Sequence, residues 1–221
     1  MAKRARTEEA KVEKAQAILD AAARLFETKE FGTIKMAEIA REMGVSNGIL
    51  FVYYKTKEML FLQLLLREYE KRLNHMQQLI EQKSLCNYQD MKSLILDEME
   101  YVIEESDIYI RLCAIRGAIL EKNIDTEQMV QSKQWLYQRV SEVANSISNK
   151  CPCFNAEEII HIFMVQESIL VGCKLCSDLP TEILHIIDEY QLEGFKFAFK
   201  ENALNTMSYY LDGRYQKMIN A

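Results

Sequence analysis

"GVSNGILFVYYKTKE", residues 44–58, combines a turn, a short helix and the start of a long helix. Gly44 suits the left-handed position at which a helix ends, because it has no Cβ to clash there. Ser46 suits the N-cap of the next helix, where its hydroxyl can accept a backbone N–H. That helix is expected to run for about two turns, through Tyr53. Thr56 is a second N-cap candidate and opens a long helix that begins KEMLFLQLLLREYEKRL.

The residues before this stretch predict two more amphipathic helices. Apolar side chains recur at three- and four-residue spacing from Val12 to Phe26, and again from Met36 to Met43. The first helix is expected to end near Lys29. The second and third helices are separated only by a short turn that contains a glycine. This is the spacing of a helix-turn-helix motif, in which the second helix can enter the major groove of DNA.

The composition predicts that the rest of the chain is helical too. Only 7 Gly and 2 Pro occur in 221 residues, and these are the residues on which β-turns depend. Long stretches are rich in Leu, Ile, Met, Glu, Lys and Gln, which lose little side-chain freedom in a helix. We therefore expect an all-α protein, with an N-terminal three-helix domain followed by a larger helical domain.

Residues 18–61 resemble the DNA-binding domain of the TetR family of transcriptional regulators. The matching segments, in the family's order, are Ala22-Ala23-x-Leu25-Phe26, Ile39-Ala40, Gly44-Val45-Ser46-x-Gly48, the aromatic cluster and Lys57-Glu58. The resemblance implies a DNA-binding domain over residues 1–56 and a helical effector-binding and dimerisation domain over residues 57–221. The sequence departs from the family's usual motif where Ile49, Phe51 and Tyr54 replace a hydroxyl residue, Tyr and Phe.

The resemblance also implies that residues 46–53 and Lys57 face DNA. Helix spacing assigns Leu50 and Tyr54 to the core instead. The predicted DNA-contacting residues are Lys35, Ser46, Asn47, Gly48, Ile49, Phe51, Val52, Tyr53 and Lys57. The apolar members of this set leave two modes of base reading open, contact with thymine methyl groups and recognition of DNA shape.

The charge is divided unevenly along the chain. Residues 1–57 carry 11 Lys or Arg and 8 Asp or Glu, a balance of +3, whereas the remainder carries 16 and 25, a balance of −9. A basic N-terminal quarter can contact a polyanion even though the whole protein is acidic. Lys3, Arg4 and Arg6 are expected to form a mobile arm that adds salt-dependent affinity for DNA.

A dimer interface is expected in the second domain, because one recognition helix contacts too few base pairs for useful specificity. The last two predicted helices cover residues 155–179 and 181–204. The resemblance implies that they pair with their two-fold mates as a four-helix bundle, and that the dimer binds a palindromic operator. The predicted interface is a stripe of the first of these helices, formed by Val165, Ser168, Gly172 and Cys176. The alternative is that Gly172 packs within its own subunit.

A small-molecule pocket in the second domain is implied by the resemblance as well. Effector binding there would change the spacing of the two DNA-binding heads and release the repressor from DNA. The candidate pocket residues are large aromatics, or charges within apolar helices: Tyr101, Tyr109, Arg111, Arg116, Trp135, Phe163 and Glu167. The many Met and aromatic residues favour a largely apolar or aromatic effector.

The six cysteines support a second hypothesis, in which a thiol or a metal provides the signal. Cys173 and Cys176 have the spacing of a metal or redox site, and Cys151 and Cys153 could supply partners. The alternative is that these cysteines are small buried hydrophobic residues.

A third hypothesis is an all-α enzyme or ligand-binding protein in which the helix-turn-helix is incidental. No enzyme motif or cofactor motif is recognisable, and His75, His161 and His185 show no metal-ligand spacing among themselves, so we expect neither an enzyme nor a cofactor. The N-terminus lacks the apolar core of a signal peptide, and no apolar run approaches the roughly 18 residues of a membrane span. A cytoplasmic regulator is therefore the favoured interpretation.

Overall fold

The structure, a computed structural model, describes residues 2–122 and 124–220, with side chains described from residue 9 onward. Within these ranges there are helices and no β-strand, which confirms the all-α prediction. The side chains of Lys3, Arg4 and Arg6, assigned above to a mobile arm, lie outside the described residues. The α-helices are α1 (Ala2–Thr28), α2 (Met36–Glu42), α3 (Asn47–Tyr53), α4 (Lys57–Gln82), α5 (Tyr88–Glu105), α6 (Asp107–Ile115), α7 (Thr126–Lys150), α8 (Ala156–Ser177), α9 (Thr181–Glu189) and α10 (Phe199–Ile219).

Two compact units make up the chain. The first consists of Met1–Glu68 together with Ile115–Ser132, and the second of Tyr69–Ala114 together with Lys133–Ala221. The second segment of the first unit includes a π-helical turn, Arg116–Leu120, which directly follows α6.

The first unit is built around α1, α2, α3 and the first turns of α4. Its core contains most of the apolar stripe of α1, including Ile18 and Phe26, which are almost completely buried, whereas Val12 at the start of the stripe is 69% exposed. Phe61 of α4 packs edge-on against two aromatic rings, with centroids 5.4 Å from Phe26 and 5.1 Å from Phe31. This aromatic cluster anchors α4 to the end of α1 and the turn that follows it.

The turn between α2 and α3 forms as the sequence predicts. Gly44 has φ +65°, and the N–H groups of Gly44 and Val45 donate to the carbonyls of Arg41 and Ala40. These two bonds form a Schellman motif, which satisfies carbonyls left free at the end of α2. Thr56 Oγ1 accepts the N–H of Met59 at 3.1 Å, which confirms Thr56 as the N-cap of α4.

The prediction for Ser46 is only half right. Ser46 occupies the N-cap position of α3 with extended backbone angles, φ −71° and ψ 151°. Its hydroxyl, however, accepts no hydrogen bond from the first turn of the helix. The residue is exposed, so the hydroxyl remains accessible to solvent or to an external partner.

In the second unit, α10 packs against both α5 and α8. Asp212 of α10 accepts hydrogen bonds from Tyr88 and Lys92 of α5, at 2.8 and 2.7 Å. Asn87 caps α5 by accepting the N–H groups of Gln89 and Asp90.

The prediction of one helix over residues 181–204 is wrong. α9 ends at Glu189, a 3₁₀ turn follows at Glu193–Phe195, and α10 begins at Phe199. Gln191 adopts φ +53°, and the N–H of Leu192 donates to the carbonyl of Ile187 at 2.8 Å. This is again a Schellman motif, but its left-handed position holds Gln where glycine is the usual residue. The sequence therefore lacked the signal that marks the end of the helix.

One helix, α8, is long and apolar enough to span a membrane by length and composition alone. This differs from the expectation that no apolar run approaches that length. Only a third of its most apolar stretch is buried within the chain, and Gln166 and Glu167 lie in the middle of the helix. Polar groups at that depth are costly in lipid, but in α8 they have hydrogen-bond partners within the protein.

Candidate DNA interface and effector core

The short helix α3 has one buried side and one exposed side. Leu50 is completely buried, and Tyr54, directly after the helix, is 7% exposed. The Tyr54 hydroxyl donates to the carbonyl of Ala15 in α1 at 3.4 Å. These contacts confirm the assignment of both residues to the core, and they fix the rotation of α3 about its axis.

The opposite side of α3 exposes apolar side chains to solvent. Val52 is 82% exposed, Phe51 45% and Ile49 39%. Leaving them in water has no folding benefit, because stabilisation comes from removing apolar surface from water. The fold of the first unit therefore presents these predicted DNA-contacting residues outward.

The start of α3 presents small and polar groups. Ser46, Asn47 and Gly48 are all exposed, and Tyr53 at the end of the helix is half-buried. A methyl group added at Gly48 would meet only Ser46 Oγ, at 3.9 Å, within 4 Å. Packing inside the chain therefore does not require glycine at this position. A physical reason for the glycine is that it allows an external partner to approach the backbone closely.

Lys57 is held by the protein's own backbone. Its ammonium group donates to the carbonyl of Phe31 at 2.7 Å and to the carbonyl of Ile34 at 2.9 Å. It also lies 4.1 Å from the centroid of the Phe31 ring. Burial lowers the pKa of Lys57. The side chain thus fixes the turn between α1 and α2 to the start of α4, a structural role that the sequence analysis did not anticipate.

Two other basic groups of the helix-turn-helix region are paired with acidic neighbours. Arg24 contacts Glu42 at 2.7 Å, and Lys29 contacts Glu38 at 2.9 Å. Lys35 is exposed at the N-cap of α2, where its backbone N–H donates to Glu38. Lys35, one of the predicted DNA-contacting residues, therefore keeps an exposed side chain at a helix N-terminus, a location that favours phosphate.

The second unit contains a buried polar cluster formed by Arg72, Glu98, Tyr109 and Gln166. Arg72 is bidentate to Glu98, at 2.6 and 3.2 Å, and donates to the Tyr109 hydroxyl at 2.6 Å and to Gln166 Oε1 at 2.6 Å. The Gln166 amide completes the ring by donating to Glu98 at 2.6 Å. All four side chains are at most 6% exposed. The cluster connects α4, α5, α6 and α8 through charge-assisted hydrogen bonds.

The titration behaviour of the cluster follows from its burial. Burial by itself lowers the pKa of Arg72, but the Glu98 carboxylate and Tyr109 outweigh it, so that the pKa of Arg72 is raised. Burial raises the pKa of Tyr109 well above its ordinary value. The guanidinium and the neutral phenol are therefore the stable forms across the ordinary pH range.

Glu167 extends this cluster toward a less buried region. Its carboxylate accepts hydrogen bonds from the hydroxyl groups of Tyr109, at 3.1 Å, and Tyr69. The Tyr69 and Tyr109 rings pack edge-on with centroids 5.1 Å apart, and Cys113 lies near the Tyr69 hydroxyl. The structure thus brings together two predicted effector residues, Tyr109 and Glu167.

The other candidate effector residues are distributed more widely. Tyr101 stacks on His75 with ring centroids 3.6 Å apart, and Phe163 is 8% exposed one turn before Glu167 on α8. Arg111 pairs with Asp107 at 3.6 Å. Trp135 is half-buried, and Arg116 belongs to the first unit, where it lies 3.9 Å from Glu121.

Sequence reasoning missed Arg72, Glu98 and Gln166, although each occupies a core position in a helical stripe. Arg72 lies between Tyr69 and Met76 in α4, both of which are buried. Glu98 lies between Ile95 and Val102 in α5, and Gln166 between Ile162 and Leu170 in α8. A charged or amide side chain at the three- and four-residue spacing of buried apolar residues is the signal that could have found them.

The predicted dimer stripe lies on the outer side of α8. Ser168, Gly172 and Cys176 are exposed, and Val165 is half-buried. A Cβ added to Gly172 would meet nothing within 4 Å, which argues against the alternative that this glycine packs within its own subunit. Met164 and Leu175, 64% and 62% exposed, extend the same stripe with large apolar side chains.

The cysteines do not form a metal site in the part of the chain that the structure describes, where no group of three or more metal-ligating side chains occurs. Cys173 is buried, which raises the pKa of its thiol, and Cys176 is exposed. The thiols of Cys151 and Cys153 lie 2.6 Å apart in the turn before α8. Burial and the neighbouring Cys151 raise the pKa of Cys153 to about 12.

Two family models together match nearly the whole chain. Residues 18–64 match the model of bacterial regulatory proteins of the tetR family. Residues 66–217 match the model of the tetracyclin repressor-like C-terminal domain. The boundary between the two matches falls within the first turns of α4. No match was found among curated protein sequences.

Solved structures, two of them of TetR-family proteins, share the fold. One is the repressor AlkX from Dietzia sp. strain DQ12-45-1b, implicated in biodegradation of n-alkanes, with 15% identity, coverage of 90% of this chain and 95% of that one, and TM-score 0.51. A transcription regulator from Shewanella sp. PV-4 has 18% identity, coverage of 88% and 95%, and TM-score 0.52. The reduced form of NemR from E. coli has 16% identity, coverage of 87% and 94%, and TM-score 0.52.

Proposed function

The chain belongs to the TetR family of transcriptional regulators, and we propose that it is a homodimeric repressor that a small-molecule effector releases from a palindromic operator. The exposed surface of α3 carries this proposal. Leu50 and Tyr54 hold the helix to its neighbours, so that Val52 and the start of the helix are directed outward. We propose no enzymatic activity, and a cytoplasmic location follows from DNA as the partner.

The proposed polar contacts are made to the DNA phosphates and position the protein on the duplex. Ser46, Asn47 and Tyr53 donate hydrogen bonds to phosphates, and Lys35 adds a charge at the N-terminus of α2. The Ser46 hydroxyl is suited to this because α3 does not use it as a cap. Lys57 contributes to DNA binding mainly by holding the turn between α1 and α2 in place.

The proposed dimer interface is the outer stripe of α8. Ser168 satisfies its hydroxyl within its own helix, by donating to the carbonyl of Met164 at 2.9 Å. Together with Gly172 it gives α8 a shallow surface that a partner helix can approach closely. The exposed Met164 and Leu175 supply apolar area to bury on association.

The proposed effector site lies in the second unit, beside Tyr109 and Glu167. Phe163 provides an apolar neighbour one turn away on α8, which suits a largely apolar or aromatic effector. The Tyr109 hydroxyl and the Glu167 carboxylate would contact a polar end of that molecule. Because both are linked to Arg72, binding there acts on the side chains that hold α4 to α5 and α8.

DNA binding by the purified protein tests the proposal. Fluorescence anisotropy would measure binding to the DNA upstream of its own gene and to a scrambled duplex. We expect preference for the upstream DNA and a loss of affinity of about 10³-fold or more between 50 and 200 mM salt, as for a protein making six or more phosphate contacts. Equal, weak binding to both duplexes at low salt would instead favour the hypothesis of a ligand-binding protein or enzyme.

A thermal-shift screen tests the effector class. Aromatic and aliphatic compounds, with and without one hydrogen-bonding group, are compared at equal concentration. We expect stabilisation by amphipathic compounds, because a ligand that binds only the folded state raises its apparent stability. The stabilising compound should release DNA from wild-type protein, and Glu167→Gln should weaken both effects. Stabilisation by highly polar compounds alone would count against an apolar effector.

A second candidate function is a thiol-responsive regulator, favoured by the contact between Cys151 and Cys153. Hydrogen peroxide would oxidise the two thiols to one disulfide and would itself be reduced to two molecules of water. The raised pKa of Cys153 makes this oxidation slow at neutral pH, because the thiolate is the reactive form. Release of DNA by peroxide that is lost in Cys151→Ser but kept in Cys173→Ser would support this candidate over the effector.

A further inference from the structure

The residues of α3 contain no charged side chain. From Asn47 to Tyr53 the helix offers one amide and one phenol, and its remaining side chains are apolar or absent. Lys55 is exposed but lies beyond the helix, and Ser46 precedes it. The helix therefore offers few hydrogen-bonding side chains with which to read base edges.

This composition restricts which bases the helix can read. Guanine is most often recognised by the bidentate donors of Arg or Lys, and cytosine by the acceptors of Asp or Glu. None of these residues occurs in α3. Thymine, in contrast, presents its C5-methyl group in the major groove, and that group is recognised by apolar contact. The only base edge that an apolar side chain recognises in this way is that of thymine.

Helical geometry brings two apolar side chains together on the exposed side. Ile49 and Val52 are three residues apart, so they lie next to each other on the helix surface. Leu50, whose side chain is buried, is on the opposite side. Phe51 is exposed next to Val52, which widens the apolar surface. Isolated apolar residues on a protein surface need no explanation, but three on one short helix form a patch.

We infer that the recognition helix reads thymine by contact of Ile49 and Val52 with thymine C5-methyl groups. The inference rests on the proposed function, since it assumes that α3 enters the major groove. It predicts that each operator half-site contains at least one thymine whose methyl group is necessary for full affinity. The other possibility for an apolar helix is recognition of DNA shape alone, for which no single thymine methyl group is necessary for full affinity.

Selection followed by removal of single methyl groups tests the inference. A duplex library with a random central segment is selected on wild-type protein, and each thymine of the selected sequence is then replaced in turn by deoxyuridine. This replacement removes the methyl group and keeps the Watson–Crick pair. We expect a loss of about threefold to fivefold at one or two positions per half-site, the effect of burying one methyl-sized group.

A double-mutant cycle assigns the contact to a side chain. In Val52→Ala the difference between thymine and uracil should fall to about 1.5-fold or less at the position that Val52 contacts, because the partner of the methyl group is gone. Val52→Thr keeps one methyl group and should retain part of the difference. Val12→Ala, at a valine of α1 that is 69% exposed, is the matched control and should leave the difference unchanged.

The outcomes separate the inference from the proposed function. A selected sequence that tolerates deoxyuridine at every position, or that contains no thymine in its half-sites, overturns the inference and leaves the regulator intact. Selection of no sequence at all overturns both. A methyl effect that persists unchanged in both Val52→Ala and Ile49→Ala also overturns the inference, since other groups would then make the contact.

Discussion

The recognition helix α3 and the buried polar cluster depart in opposite ways from the usual distribution of residues. On α3 apolar side chains are in water, with Val52 82% exposed. In the cluster, Glu98 and Gln166 have no exposed surface and Arg72 only 6%. The cluster is stable because its members satisfy one another, whereas the described residues of the first unit leave the apolar side of α3 exposed. The buried polar groups of the cluster thus have an internal explanation, whereas a patch of exposed apolar groups points to an external partner.

The comparison predicts that substitutions in the cluster act on stability and that those on α3 act on binding. Arg72→Met provides the largest expected effect. It leaves the Glu98 carboxylate buried without its cation, which should lower the free energy of unfolding by about 3–5 kcal/mol in urea denaturation. Arg139→Met is the control, because Arg139 pairs with Glu70 at the surface and should cost less than about 1 kcal/mol. Equal losses in the two variants would contradict the role of the cluster.

A second prediction concerns the outer stripe of α8. Gly172→Leu has open space within one chain, so the fold should be kept and helix propensity should even improve. Close approach of a partner helix would be blocked, and we expect dimerisation to weaken by about tenfold or more, as overpacking costs about 1–3 kcal/mol. Sedimentation equilibrium measures the change. Gly117→Leu, at an exposed glycine outside α8, is the control, and an unchanged dimer in Gly172→Leu would reject the interface.

A third prediction separates Lys57 from Tyr53. Lys57→Ala removes the donor of two backbone carbonyls and should lower the free energy of unfolding by about 1–3 kcal/mol, and it should also weaken DNA binding. Tyr53→Ala should weaken DNA binding about tenfold, through the loss of a phosphate hydrogen bond, with little change in stability. Urea denaturation and anisotropy with the same duplex measure both quantities. A Lys57→Ala variant with wild-type stability would show that its backbone contacts do not matter.

The smallest expected effect is at a charged contact on the surface of the second unit. Lys92 and Tyr88 lower the pKa of Asp212. A carboxylate with a lowered pKa in the folded state stabilises the protein above its unfolded pKa of about 4, and this contribution is lost as the pH falls through the folded value. Because Asp212 is partly exposed, Asp212→Asn should cost less than about 1 kcal/mol at pH 7 and nothing in strong acid. A cost that persists in strong acid would exclude a charge effect.

The sequence predicted the helix-turn-helix well because its signals are local. The spacing of apolar residues, Gly44 at a left-handed position and Thr56 as an N-cap all act within a few residues, and all are found as expected. The same reasoning failed at Gln191, which adopts the left-handed conformation although glutamine is not a residue type that indicates it. The helix ends there in a Schellman motif, which a glycine at this position would have made recognisable in the sequence.

The candidate effector core was harder to predict, since it is made by distant segments. Tyr109 and Glu167 were chosen as candidates separately, and their contact at 3.1 Å brings together α6 and α8. Arg72 was not chosen, because a single basic residue within a helical pattern looks like a surface charge. Its partners are 26 and 94 residues away in the sequence.

The sequence by itself determined that this protein is helical, that it begins with a helix-turn-helix of TetR type, and that Leu50 and Tyr54 are core residues. The helices and the two core residues follow from periodicity and from the conformational preferences of single residues, and the TetR type follows from the resemblance of residues 18–61 to that family; neither requires knowledge of distant contacts. Only the tertiary structure decided that Lys57 binds backbone carbonyls, that Gly172 faces open space, and that the charges of α4 and α5 meet in a buried cluster. Each of these depends on which helices become neighbours, and that is set by the packing of the whole core.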